Sequence, residues 1–274
     1  ALLMAVGFTT SIIFVLVNKI NKKIGIILIC LLLLFTIFDL LRFSGKFNPF
    51  VKEEWIFPQT KVMKFLADQP KPFRVQSLDS RILPPNFSLV YGIETIEGYD
   101  PLYLLTYGQF MAAVKRNNPD ISSFNFNRII TPQLMDSSFI NLLNVRYFLS
   151  LNDIVAKNLK LVFREGETRV YENVMVNNRF FTVDSVLIAD NNQEEINGLF
   201  KIKENLTDKA IIRYMKGNDL IVSKGQISNV EYASDKIKLT VSGGEQKLLV
   251  ISSSYYPGWK ATANGNPVKI YKTD

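Results

Sequence analysis

Ten residues, Tyr91 to Asp100 (YGIETIEGYD), hold the densest chemistry in the chain, with Glu94, Glu97 and Asp100 set among Tyr91 and Tyr99. Carboxylates accept hydrogen bonds from hydroxyls and tyrosine rings cover the apolar face of a pyranose, so a loop of this kind can grip a sugar. In an extended strand Glu94 and Glu97 point to opposite sides, which argues against a paired acid–base couple. A solvated turn ahead of a helix opened by Pro101 accounts for the same composition and is the simpler reading. A second group, Tyr256 and Trp259, lies in SSSYYPGWKATANGNPVKIY near the C-terminal end. Tyr-Pro-Gly-Trp is a tight turn; its indole is expected to cap a core, with ligand stacking as the alternative.

The rest of the catalytic repertoire is thin. Histidine is absent and Cys30 is the single cysteine. This removes imidazole acid–base chemistry, triads that need histidine, zinc sites of the Cys/His kind and internal disulfides. The nucleotide-binding glycine loops, the nucleophile elbow and the metalloprotease helix motif have no match, so no metal or cofactor site is predicted within the chain and the catalytic residues stay unknown. The net charge of +7 comes from scattered Lys and Arg with no run of five. That pattern gives a mildly basic exterior facing an anionic envelope or lipid surface, not a nucleic-acid site.

These side chains must be positioned by a chain of two characters. Residues 1–41 carry only Lys19, Lys22, Lys23 and Asp39 as charges, in two apolar runs at about 1–17 and 24–41. The second run, IGIILICLLLLFTIFDLL, has no solvated face, and as a helix it covers about 27 Å, close to the roughly 30 Å of a bilayer core. Both runs are predicted to span a membrane. The NKINKK loop between them sets that hairpin in the cytoplasm by the positive-inside rule, and everything after residue 41 outside it. Phe43, Phe47, Phe50, Trp55 and Phe57 follow, as rings do at headgroup level. The chain is read as cut from a longer protein.

Beyond the anchor, residues 42–205 mix helical and alternating patterns and predict an extracytoplasmic α/β domain. From 206 to 274 short strands recur, with Ser242-Gly243-Gly244 and Asn264-Gly265 as turn signals, and predict an antiparallel β-sandwich broken off at its end. The expected fold class is therefore membrane-anchored α+β: two transmembrane helices, a mixed α/β unit and a sandwich.

The run from Tyr255 to Val268, YYPGWKATANGNPV, resembles the hallmark near the C-terminal end of the YfhO family of bacterial membrane proteins. Further blocks agree in order: Phe73-Arg74-Val75, NFSLVYGI from Asn86, EGYDPL from Glu97, LLNVRYFL from Leu142, VYEN from Val170 and Asn178-Arg179-Phe180. The chain departs from the pattern at Ala263-Asn264, where Val-Asp is usual. The resemblance implies a polytopic protein similar to GT-C glycosyltransferases in the bacterial cytoplasmic membrane. It implies a polyprenyl-phosphate-linked sugar as donor, and transfer on the outer leaflet to envelope glycopolymers such as teichoic acid or polysaccharide. The partners expected are thus the lipid bilayer, a lipid-linked sugar and an envelope polymer, with no nucleic acid. The family's catalytic carboxylate is expected in a first external loop that these 274 residues do not contain. This region would then anchor and position donor or acceptor without carrying the chemistry itself. The competing reading is a non-enzymatic membrane-anchored binding or assembly module.

Overall fold

Leucine, isoleucine and phenylalanine without proline make Lys22–Phe47 a continuous helix of 26 residues, α1, about 39 Å long at 1.5 Å per residue. It runs past Leu41, where the apolar run ends, because RFSGKF contains no proline and Lys46 sits favourably in the last turn, which together outweigh the weak helix preference of Gly45. Apolar side chains project all round it: Ile26, Leu34, Phe35, Phe38 and Leu41 are all exposed. Thr36, a polar residue within the run, donates its hydroxyl to the Leu32 carbonyl at 2.9 Å. By length and composition α1 can cross a bilayer.

The computed structural model describes residues 9–10, 12–14, 22–47, 50–122, 128–213, 221–244 and 246–273. Of the first apolar run, only 9–10 and 12–14 are among them, and these are helical. The expected cytoplasmic loop falls on 18–21, outside the described residues, and on Lys22 and Lys23, already in α1. The chain divides into two units, Ala1–Pro58 and Gln59–Asp274. The first holds α1 and a single turn, α2 (Glu53–Ile56), followed by Phe57 and Pro58.

The second unit is built on one sheet. Alternating apolar residues form β1 (Arg74–Ser77), β2 (Glu94–Thr95), β5 (Val145–Ser150), β6 (Leu159–Glu165) and β7 (Thr168–Asn173) in the order β2-β1-β5-β7-β6. β1 runs parallel to both neighbours, while β5, β7 and β6 alternate in direction. Because side chains alternate across a strand, the sheet feeds two cores. Tyr147, Leu149, Val75 and Val170 pack with Val62, Met63 and Leu66 of α3 (Lys61–Ala67). Phe148 and Tyr171 pack on the other side with α4 (Leu105–Arg116), α5 (Ser138–Leu142) and α6 (Asn192–Lys201).

Pro101 does not open α4. Asp100 Oδ1 accepts the Leu102 amide at 2.7 Å and the Asp100 amide donates to the Arg128 carbonyl at 2.9 Å. That turn holds Pro101 outside the helix, beside the short pair β3 (Gly98–Tyr99) and β4 (Ile129–Ile130).

Residues 180–188 form two strands, β8 (Phe180–Thr182) and β9 (Ser185–Ile188). The later strands are β10 (Lys209–Ile212), β11 (Gln226–Tyr232), β12 (Ile237–Ser242), β13 (Leu249–Ile251), β14 (Ala261–Ala263) and β15 (Asn266–Val268). β10 pairs with β9 and β13 with β8, while β11–β12 and β14–β15 are hairpins. The boundary expected at 205/206 thus falls inside a joined arrangement, and Val183 shares a small core with Ala210, Val222 and Val250. Among the described residues these strands pair two by two instead of forming two larger facing sheets. The turn of the last hairpin is Asn264-Gly265, both at positive φ (51° and 83°), the conformation a two-residue hairpin requires.

Candidate functional site

A cavity of about 300 Å³ opens in the second unit. Its wall is contributed by β1, the segment from β2 to the start of α4, α6, and the chain after β13 together with Lys272 and Thr273. The volume is at the lower end of ligand pockets, room for one or two sugar rings. Tyr103, Tyr107 and Tyr255 line it, with Thr95, Thr106, Gln109, Asn192 and Ser252 to Ser254 as hydroxyls and amides. Its charged lining residues are Arg74, Lys272, Glu97, Asp100 and Glu195.

Arg74 is placed by the start of β1 and held by the chain's own carbonyls. Nη1 donates to the Leu143 carbonyl at 2.8 Å and Nη2 to the Ser252 carbonyl at 2.9 Å. Ser252 is itself fixed, its hydroxyl donating to the Leu142 carbonyl at 2.8 Å and its amide to the Arg179 carbonyl at 2.9 Å. Burial, with Arg179 close by, lowers the Arg74 pKa to about 10. The Tyr107 hydroxyl donates to the Ile96 carbonyl at 2.6 Å, and burial pushes its pKa up to about 12.

Glu97 sits where β2 has ended and β3 has not begun. Its Oε2 accepts the Ser77 amide at 2.9 Å. Desolvation raises its pKa to about 7 against the opposing pull of that amide, so the carboxyl can accept or give a proton near neutrality. Glu195 differs: at 2% exposure it is matched by Lys272, whose Nζ donates to both carboxylate oxygens at 3.0 and 2.7 Å, and by Arg213 at 3.2 Å.

Glu97 and Asp100 therefore share the cavity, and the other expected site residues lie elsewhere. Glu94 diverges from Glu97, as strand geometry requires, into an ion-pair cluster behind the wall. Arg179 Nη2 donates to it at 2.9 Å, the Tyr232 hydroxyl at 2.6 Å, and Arg74 Nε stands 3.8 Å away. Tyr91 packs against the α3 core, and Tyr99 is clasped through its backbone by the Asn86 amide side chain. Tyr256 and Trp259 are not in the lining, and the indole, 39% exposed, does not cap a core. β14 and β15 form a two-stranded hairpin by themselves, and Tyr255 lines the cavity instead.

Arg74, Tyr107, Glu195 and Lys272 were not singled out by their sequence patterns. Arg74 and Tyr255 stand inside blocks that carry the family resemblance, which is the signal that could have found them. Glu195 reads as one more acid in the first turn of a helix, and only its burial marks it. Among the described residues no three Cys, Asp or Glu side chains cluster as metal ligands. Hydroxyls, amides, tyrosine rings and one carboxyl titrating near neutrality can together hold a polyhydroxylated ring. No known family pattern, curated protein or solved structure matches this chain.

Proposed function

We propose that this chain is the C-terminal, extracytoplasmic part of a YfhO-type bacterial membrane protein, glycosyltransferase-like in its full length. On this reading it modifies envelope glycopolymers such as teichoic acid or polysaccharide, using a polyprenyl-phosphate-linked sugar. A two-span membrane hairpin anchors this region, the paired C-terminal strands close it, and its cavity positions the sugar of the donor or of the acceptor. The observation that carries the reading is the convergence of sequence blocks lying far apart in the chain. Arg74, Glu97, Asp100, Leu142, Leu143 and Tyr255 come from four of the blocks quoted for the resemblance, and all line one cavity. Arg179, from another block, joins Glu94 behind it. The apolar girth of α1 supports the anchor.

The placement is tested in intact cells. With Cys30→Ser as background, Val155→Cys puts a thiol at a fully exposed position of the second unit. A membrane-impermeant maleimide is expected to label it without lysis; labelling only after lysis overturns the extracytoplasmic assignment. Deleting the gene is expected to remove a sugar substituent from an envelope polymer. An unchanged polymer favours the second reading, a binding or assembly module. The exposed apolar residues Leu89, Leu102 and Leu105 near the β3–β4 pair lend that reading its support.

A further inference from the structure

The charges on the cavity wall are not equivalent. Its two cations are already engaged by the protein: Arg74 gives its terminal nitrogens to the carbonyls of Leu143 and Ser252, and Lys272 gives its ammonium to both oxygens of Glu195. The two remaining carboxylates keep acceptor capacity. Glu97 Oε2 accepts only the Ser77 amide and Asp100 Oδ1 only the Leu102 amide, which leaves Glu97 Oε1 and Asp100 Oδ2 without a protein partner among the described residues. Arg179, whose Nε and Nη1 are buried and unsatisfied, does not line the cavity. Above pH 7, where Glu97 is ionised, an anion entering here meets two carboxylates and finds both cations already bonded to the protein, whereas hydroxyls and amines meet open acceptors.

We propose that the cavity takes an uncharged or amino-bearing sugar ring and rejects phosphorylated or carboxylated ones. This rests on the reading of the cavity as a sugar site and narrows its ligand. If the ligand is lipid-linked, its sugar occupies the cavity and its phosphate stays outside. If it belongs to a polymer, the recognised unit is a neutral or amino-sugar substituent and not the phosphodiester backbone.

The test uses the full chain in an amine-oxide detergent, which carries no sugar to compete, with saturation-transfer NMR on four probes. These are methyl β-glucopyranoside, glucosamine, glucuronate and glucose 6-phosphate. Methyl glucoside and glucosamine are expected to bind, with both anions weaker by about tenfold or more, the scale of one unfavourable charge contact in a partly shielded site. At pH 8, where Glu97 is ionised, Glu97→Gln is expected to narrow the ratio of glucosamine to glucose 6-phosphate about tenfold. Asp100→Asn, at the exposed mouth and able to keep its bond to the Leu102 amide, gives the same direction if Glu97→Gln fails to fold. Anions that bind as well as methyl glucoside overturn this selectivity and leave the sugar site standing. A ratio unmoved by either substitution also overturns it. Binding of none of the four probes overturns both.

Discussion

Glu97 owes its character to shielding, and that gives its pH behaviour a definite sign. Its folded pKa lies near 7, above the unfolded carboxylate value of 4.5, because burial penalises the charged form more than the Ser77 amide favours it. The folded state therefore holds this proton more tightly, and stability falls as pH rises from about 4.5 to about 7, by up to about 3 kcal/mol. Glu97→Gln keeps the acceptor for Ser77 and removes the charge. Denaturant unfolding is expected to show the variant equal to wild type at pH 4 and more stable at pH 8; equal stability at both would refute the shielded carboxyl. Glu94 works in the opposite sense, as the counter-charge to Arg179, whose side chain is only 4% exposed. Glu94→Ala leaves that guanidinium buried without an anion and is expected to destabilise by about 3 kcal/mol, while Tyr232→Phe, removing one bond, costs about 1 kcal/mol. Both are read from urea midpoints. Neither role is visible in the spelling YGIETIEGYD, because the partners of Glu94 are contributed from residues 74, 179 and 232.

At the scale of elements, local chemistry decided more. Thr60 caps α3, its hydroxyl accepting the Met63 amide at 3.2 Å, and Glu165 from the β6–β7 hairpin accepts the Val62 amide at 3.0 Å. Thr60→Ala is expected to cost about 1 kcal/mol, and Glu165→Ala to add a similar amount when combined with it, since the two satisfy different orphan donors. The β6–β7 turn around Glu165-Gly166 is written in adjacent residues, and its contact with the start of α3 is not. For α1 the decisive quantity is the free energy of placing a charge in lipid. Leu34→Lys, at the helix centre, raises the apparent insertion free energy by about 3 kcal/mol. Carbonate extraction is expected to release part of this variant and none of the wild type; equal retention would mean that α1 is held by protein instead of lipid.

For the whole molecule, the sequence alone determined the split between an apolar N-terminal stretch and a mixed α/β remainder. It also determined the approximate place of most helices and strands in that remainder. These follow from hydrophobic period, capping residues and turn residues, which act over a few neighbours and are written locally. Only the tertiary structure decided that β10 and β13 pair back with β9 and β8, so that a line drawn at 205/206 crosses two sheets and a shared core. It alone assembled a cavity from residues near 74, 97, 143, 195, 252 and 272, retained Glu97 and Asp100 in it, and left Tyr256 and Trp259 outside. The reason is the same in each case: strand pairing and the convergence of charges depend on which segments meet in space. That choice is made by burying the two faces of one sheet together, and no short window of sequence records it.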